Sequence, residues 1–241
     1  MKPSKLVLLP GLDGTGAMFA PFIHALPKDV LAEPVAYPES LESFDEYVEF
    51  AAAALHGTAD VVVIAESFSG LIAISLLRKP PPNLRAIVLV ATFTTAPRAL
   101  LRRLSKLVPS AVIRAFVPAA LNWFCANRNT ASEVLRIASD VVSREPIETL
   151  ESRLRLLEEL PIDLRALLDK TKLPVLILEP TQDRLVPLDG FVRCAAPNAQ
   201  LQKIAGPHFL LQSCPKECWE AIEKFLATRS LYFILSRSRL F

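Results

Sequence analysis

The sequence predicts an α/β fold, with a parallel sheet of about six strands and helices on both faces. Three apolar runs rich in β-branched residues, at 60–65, 84–90 and 175–179, are typical of strands buried on both faces. Stretches with helical periodicity alternate with them, and this alternation specifies parallel strands joined by right-handed crossovers. The remaining strands are predicted at 5–9, 30–37 and 200–204.

Local signals support the order of these elements. Pro34 favours an edge position for the second strand, because proline cannot donate a ladder hydrogen bond. Ser43 and Glu46 have the spacing of a capping box at the start of a helix. The helices are predicted at 17–26, 43–55, 68–78 and 215–227.

The composition favours one large apolar domain. At 241 residues the chain can bury a single sizeable core, and its hydrophobic fraction is 51%. No apolar run approaches the ~18 residues that a membrane-spanning helix needs, so stable membrane insertion is not expected. A formal net charge of +2 indicates no nucleic-acid partner. The apolar run at 6–9 is too short for an export signal, and a cytoplasmic location is expected.

The cysteines predict neither a metal site nor a disulfide framework. Cys214 and Cys218 are one helical turn apart, and Cys125 and Cys194 stand alone, so paired metal-ligand spacing is missing. We expect reduced structural thiols, and a protein that works without metal or cofactor.

A candidate nucleophile follows the strand at 60–65. Ser67 lies between that strand and the helix at 68–78, with the small residues Ala65 and Ser69 two positions to either side. This pattern is typical of a nucleophile elbow, whose tight turn leaves no room for larger neighbours. Glycine is usual at both flanks, and alanine and serine replace it here. The alternative is that Ser67 only caps the helix.

The loop at 10–16, after the first strand, contains three glycines, so its backbone can turn tightly and approach a ligand. It lacks the Lys-Ser/Thr pair of a P-loop and the glycine spacing of a dinucleotide site. With an elbow downstream, we interpret it as an oxyanion loop, whose amide would face the alkoxide formed in acyl transfer. Asp13 or Thr15 is expected to cap the next helix.

A base and an acid are predicted at the same edge of the sheet. His208 follows the strand at 200–204 directly, whereas His24 and His56 lie at helices and are expected to be surface or capping residues. Asp183 follows the strand at 175–179, and Glu179 at the end of that strand is the competing acid. Ser67, Asp183 and His208 stand in the chain order of α/β-hydrolase triads.

An inserted helical cap is predicted at 94–170, within a single domain spanning 1–241. Helical stretches rich in arginine replace the strand pattern there, and most of these arginines are expected on a solvated face. Phe93, Phe116, Trp123 and Phe124 are candidates for an acyl-binding wall, although the last three could equally form the cap's own core.

The motifs resemble those of α/β-hydrolase-fold serine hydrolases across residues 5–227. The resemblance rests on Leu-Val-Leu-Leu-Pro-Gly-Leu-Asp-Gly at 6–14, Glu-Ser-Phe-Ser-Gly at 66–70, Leu-Val-Pro at 185–187 and Gly-Pro-His at 206–208. It implies the α/β-hydrolase fold without its first two strands, a Ser67–His208–Asp183 triad, and oxyanion donors at the backbone amides of Leu12 and Phe68. The segments 162–165 and 173–175 are also similar to small bacterial esterases that cleave pimeloyl-carrier methyl ester. The loop at 9–16 is similar to plastid acyltransferases that esterify phytol.

The resemblance implies a carboxylesterase acting on small acyl esters of short to medium chain length. Two alternatives stay open, an acyltransferase with the same triad and a ligand-binding protein without turnover. Neither the oligomeric state nor a role for the tail at 229–241 follows from the sequence.

Overall fold

A computed structural model describes residues 5–57, 60–94, 123, 125–127, 130, 132–157, 164–186, 192 and 196–228. Its strands are β1 (Lys5–Leu9), β2 (Leu31–Pro34), β3 (Val61–Glu66), β4 (Leu84–Val90), β5 (Val175–Pro180) and β6 (Ala199–Ile204). They form one sheet in the order β2-β1-β3-β4-β5-β6, and every neighbouring pair is parallel. The predicted parallel sheet of about six strands is confirmed.

The helices connect the strands and cover both faces of the sheet. They are α1 (Ala20–Ala25), α2 (Phe44–Ala54), α3 (Phe68–Ser75), α4 (Ser132–Arg144), α5 (Ile147–Leu156), α6 (Leu164–Lys170), α7 (Leu210–Ser213) and α8 (Pro215–Thr228), with 3-10 turns at Ala17–Phe19 and Leu76–Arg78. No helix in the described ranges is long and apolar enough to cross a membrane.

The uninterrupted apolar sequence of β3 is explained by burial on both faces. Val61, Val63 and Ala65 belong to a core cluster that also contains side chains of α2, α3 and α6. Val62 and Ile64 point the other way, into a second cluster with side chains of α1 and α8. Successive residues of a strand face opposite sides, so a central strand that is buried on both needs an apolar residue at every position.

The edge strand and the first helix differ in length from the prediction. β2 does lie at the edge, but it ends at Pro34, short of the predicted 30–37. The predicted helix at 17–26 is divided into a 3-10 turn and α1, and Pro21 lies in the first turn of α1. Proline has no N–H to donate to a preceding turn, so it starts a helix more readily than it continues one. The capping box at Ser43 and Glu46 is confirmed.

α4, α5 and α6 lie between β4 and β5 in the chain, within the predicted insertion at 94–170. α4 packs on the 3-10 turn after the glycine loop through Val134, Ala138 and Met18. α5 and α6 contribute Leu156 and Leu164 to the core cluster beside α3. The described helices of the insertion therefore pack on the elements that surround Ser67.

Candidate active site

Ser67 occupies a strained turn between β3 and α3. Its backbone has φ 49° and ψ −113°, a conformation that a residue with a side chain rarely adopts. Its N–H donates to the carbonyl of Val90 at 2.8 Å, and its carbonyl accepts from Gly70 N at 3.0 Å and from Thr92 Oγ1 at 3.2 Å. The main chain on both sides of Ser67 is thus tied to β4 and to α3, which holds the strained conformation in place.

The tight packing predicted around this turn is present. A side-chain carbon at Gly70 would lie 2.1 Å from Thr92 Oγ1, so only glycine fits there without a rearrangement. Ser69, which replaces the usual glycine, is fully buried. Its hydroxyl contacts Tyr37 Oη at 2.8 Å and donates to the carbonyl of Pro10. The serine at this flank therefore joins the elbow to the glycine loop.

The structure brings the three predicted side chains into one hydrogen-bonded chain. His208 Nε2 lies 3.0 Å from Ser67 Oγ, and His208 Nδ1 lies 2.7 Å from Asp183 Oδ2. All three side chains are buried. Asp183 Oδ1 accepts hydrogen bonds from the amides of Leu185 and Val186, which orients the carboxylate. An imidazole held between a hydroxyl and a carboxylate can withdraw the hydroxyl proton.

The competing acid has a different partner. Glu179 Oε1 lies 3.3 Å from Lys203 Nζ, on the adjacent strand β6. Asp183, in the loop beyond β5, is the carboxylate that contacts the imidazole. Catalytic roles for Asp183, Ser67 and His208 stay predictions.

Two opposing influences act on the pKa of His208. Burial lowers it, but the charge of Asp183 and its hydrogen bond outweigh burial, so the pKa lies above its ordinary value. Because Nδ1 contacts this carboxylate, Nε2 is the nitrogen that faces Ser67. The imidazole is therefore oriented as an acceptor for the serine proton and stabilised once it carries that proton.

The glycine loop and helix α3, which carry the predicted oxyanion residues, both adjoin Ser67. A side-chain carbon at Gly11 would be 3.9 Å from Ser67 Cβ, which places the backbone just before Leu12 against the serine. Phe68 follows Ser67 and begins α3, whose first N–H groups have no partner within the helix. An oxyanion role for the amides of Leu12 and Phe68 stays a prediction.

The predicted acyl-binding wall is only partly described. Phe93 is buried in the core cluster beside α3. Trp123 is 65% exposed, and Arg184 Cζ lies 5.1 Å from the centroid of its ring. Phe116 and Phe124 lie outside the described residues. A substrate role for all four stays a prediction.

One buried pair next to the candidate triad has no signal in the sequence. Glu66 accepts a hydrogen bond of 3.0 Å from Gln212 Nε2, and both side chains are buried. Neither Glu66 Oε1 nor Gln212 Oε1 has a hydrogen-bond partner among the described residues. Burial raises the pKa of Glu66 from 4.5 to about 7. A proton on Oε1 would convert one of these two unmatched acceptors into a donor.

We expect Glu66→Gln to stabilise the protein at alkaline pH more than at acidic pH. The folded state binds more protons than the unfolded chain between the two pKa values of Glu66, so the wild type loses stability as pH rises through that interval. A shift from 4.5 to about 7 corresponds to about 3 kcal/mol. The unfolding free energy of Glu66→Gln minus that of wild type should therefore increase by up to about 3 kcal/mol from acidic to alkaline buffer. Urea denaturation at both pH values measures this difference.

Glu220→Gln, at an exposed position of α8, is the matched control and should show no such growth. A Glu66→Gln effect that is independent of pH would show that Glu66 does not titrate in this interval.

Solved structures with the same architecture include an enol-lactonase and several esterases. The enol-lactonase from Burkholderia xenovorans LB400 superposes with a TM-score of 0.78 at 17% identity, covering 94% of this chain and 92% of that one. A thermophilic esterase from Thermogutta terrifontis gives 0.75 at 19% identity, covering 96% and 91%. A carboxylesterase from Bacillus subtilis gives 0.71 at 16% identity, covering 94% and 84%. At these identities the likeness establishes the fold.

No curated protein sequence gives a match. The profile of one family, described as serine aminopeptidase S33, matches residues 35–204. This segment contains the strained serine, the carboxylate that contacts His208 and most of the sheet. The chain therefore belongs to this family of α/β hydrolases.

Proposed function

We propose that the protein is a serine carboxylesterase that hydrolyses short-to-medium acyl esters through an acyl-enzyme intermediate. The observation that carries the proposal is the chain of contacts Ser67 Oγ–His208 Nε2–Asp183 Oδ2, at 3.0 and 2.7 Å, with the serine on a strained turn. A serine hydroxyl is a weak nucleophile near neutral pH and needs such a base and such an orienting carboxylate.

In the proposed reaction, Ser67 Oγ attacks the ester carbonyl carbon while His208 Nε2 accepts the hydroxyl proton. The carbonyl π electrons move to oxygen and form a tetrahedral oxyanion. When this intermediate collapses, the bond to the alkoxy group breaks, and the imidazolium gives its proton to the departing alcohol. Water then attacks the acyl-enzyme by the same route and releases the acid. Asp183 holds the Nδ1–H tautomer and stabilises the imidazolium throughout.

The backbone amides of Leu12 and Phe68 are proposed to donate to the oxyanion. Phe68 N–H belongs to the first turn of α3, where the partial positive charge of a helix N-terminus favours an anion. At Gly11, which has no side chain, the glycine loop packs against Ser67. Donors fixed in advance of the reaction stabilise the transition state without reorganisation.

The insertion at 94–170 is proposed to roof this site. Two residues of the insertion, Trp123 and Cys125, contact the loops that carry the acid and the base. The carbonyl of Trp123 accepts from Arg184 at 3.3 Å, and the carbonyl of Cys125 accepts from Phe209 N at 2.9 Å. An apolar roof would exclude water from the oxyanion and bind the acyl chain. Phe93, Phe116, Trp123 and Phe124 are the proposed wall.

Esters are proposed over amides because the names of several similar structures specify lactone or ester hydrolysis. The family description instead names an aminopeptidase, so an amide is the competing substrate class. The resemblance to phytol-esterifying enzymes keeps transfer to an alcohol as a further possible outcome. Amide hydrolysis and transfer to an alcohol would both pass through the same acyl-enzyme. The leaving group distinguishes amide hydrolysis from ester hydrolysis, and the acceptor distinguishes transfer from hydrolysis.

The proposal is tested by labelling and by competition between substrates. A fluorophosphonate should modify Ser67 once per chain, located by mass spectrometry of the digested protein, because only an activated serine reacts readily. Nitrophenyl esters of graded chain length should turn over at least roughly tenfold faster than aminoacyl nitroanilides, a difference of about 1.4 kcal/mol in activation free energy.

Absence of labelling at Ser67, or preference for the nitroanilides, would contradict the proposal. Addition of a primary alcohol distinguishes transfer from hydrolysis. If a new ester replaces the free acid as the main product in water, the protein is an acyltransferase.

A further inference from the structure

Arg153 of α5 is a buried arginine within an insertion whose other described arginines are exposed. The side chain of Arg153 has no solvent-accessible surface, whereas those of Arg144 and Arg165 are 78% and 53% exposed. Burying a guanidinium is costly unless its donors find acceptors. The hydrogen-bond acceptors of Arg153 therefore indicate which contacts compensate for burying the guanidinium.

The guanidinium binds the glycine loop. Nη1 donates to the carbonyl oxygens of Leu12 at 3.0 Å and Asp13 at 2.7 Å. Nε donates to Tyr47 Oη at 3.0 Å, and Glu145 Oε2 lies 3.5 Å from Nη1 as a partial counter-charge. A helix of the insertion thus holds two consecutive peptide groups of the loop.

Gly14 shows how closely the guanidinium approaches. A side-chain carbon at Gly14 would lie 2.4 Å from Arg153 Cζ, and Gly14 has φ +70°. The absence of a side chain in this part of the loop therefore makes room for Arg153 as well as for the turn.

Each carbonyl from residue 10 to residue 14 accepts a hydrogen bond. Besides the two bonds from Arg153, the carbonyl of Pro10 accepts from Ser69, that of Gly11 accepts from Gly14 N at 3.1 Å, and that of Gly14 accepts from Tyr37 N at 2.8 Å. The loop is therefore held at each carbonyl from residue 10 to residue 14, and Arg153 supplies the contacts at its tip.

Fixing these carbonyls also fixes the amides. In a planar trans peptide the N–H points opposite to the carbonyl of the preceding residue. The N–H of Leu12 is therefore oriented by the Gly11–Gly14 hydrogen bond of the turn, and Arg153 holds the two peptides that complete that turn. Without Arg153 the carbonyls of Leu12 and Asp13 lose these two hydrogen bonds.

We propose that Arg153 is a positioning residue that holds the glycine loop with the amide of Leu12 aimed at the oxyanion. This inference rests on the proposed function, since Leu12 donates to the oxyanion only if Ser67 attacks a carbonyl. It makes the helical insertion a structural part of the oxyanion hole in addition to a roof. Arg153 itself does not touch the reacting atoms.

Arg153→Met tests the inference, because methionine keeps an unbranched apolar stem and removes every donor. We expect kcat for a short nitrophenyl ester to fall about 10- to 100-fold, less than the roughly 10²- to 10³-fold loss seen when an oxyanion donor is removed outright. KM should change by less than about threefold, because the oxyanion contact forms in the transition state. Arg153→Lys keeps a cationic donor but not the paired geometry of the guanidinium, so it should recover only part of kcat. Arg165→Met, at an exposed position of α6, should match wild type.

Amide hydrogen exchange of the segment 10–16 provides a readout that is independent of turnover. Arg153→Met should accelerate exchange there, and Arg165→Met should not. If the wild type proves inactive on every ester, the proposed function fails, yet faster exchange would still show that Arg153 holds the loop. A loss of stability with unchanged kcat in the folded protein would overturn the inference.

Arg153→Lys decides the matter if Arg153→Met does not fold. A single ammonium group cannot reach Tyr47 Oη and both carbonyls in the geometry of the guanidinium, so kcat should fall by at least about threefold and exchange should be faster. Wild-type values of both in the lysine variant would overturn the inference.

Discussion

Alanine in place of Ser67 should lower kcat/KM for an activated acyl ester by about 10⁴-fold or more. The substitution removes the oxygen that forms the acyl-enzyme and leaves His208 with nothing to deprotonate except water. The residual rate would come from binding and from the oxyanion amides. Steady-state kinetics with a nitrophenyl ester, on protein freed of contaminating esterases, measures the loss.

The fold should survive this substitution. Ser67 is buried, and the contacts that hold its turn are made by its backbone N–H and carbonyl, which alanine retains. Thermal unfolding should therefore shift by only a few degrees. Ser143→Ala, at an exposed position of α4, is the matched control and should keep full activity. Activity of the Ser67→Ala variant above a few per cent of wild type would remove Ser67 from the mechanism.

Asp183→Asn should lower kcat by about 10³- to 10⁴-fold. Asparagine can occupy the same space, but its amide cannot stabilise the imidazolium, and it favours the tautomer that presents N–H to Ser67. Glu179→Gln is the comparison, because Glu179 is also a buried carboxylate at the end of β5 and contacts Lys203. Its effect on kcat should be far smaller. A larger loss for Glu179→Gln would reverse the assignment of the acid.

The pH profile should change with Asp183 in a defined direction. Asp183 raises the pKa of His208 against the opposing effect of burial. With Asp183 neutral, burial dominates and the pKa of His208 falls, so the imidazole stays neutral to lower pH. The acidic limb of kcat/KM against pH should therefore move to lower pH in Asp183→Asn. An acidic limb at the same pH in both proteins would show that another group controls it.

The sheet and the chain order of the candidate triad are local enough to predict from sequence. Continuous β-branched runs indicate strands buried on both faces, and parallel strands bring their carboxyl ends to one edge. Ser67, Asp183 and His208 each follow such an end, so their meeting is a consequence of the parallel topology. The exact limits of elements were less predictable, as the division of 17–26 near Pro21 shows.

The contacts that support the site depend on residues far apart in the chain. No local sequence feature distinguishes Arg153 from the exposed arginines of the insertion, and the sequence predicts most of these arginines on a solvated face. Its burial depends on where α5 packs, 140 residues away in sequence from the carbonyl it binds on Asp13. Gln212 likewise reaches Glu66 across 146 residues. Periodicity and spacing carry no information about pairs at such separations.

The sequence by itself determined the parallel sheet, the strained serine turn and the order of the three candidate triad residues, because each follows from a short pattern of apolar, small or polar residues. Only the tertiary structure decided which carboxylate contacts His208, which arginine is buried and what binds the glycine loop. Those choices depend on how helices and loops pack after the sheet has formed. Asp183 and Glu179 are four residues apart on one strand and its exit loop, and the direction in which each side chain points separates the partner of the imidazole from the partner of Lys203.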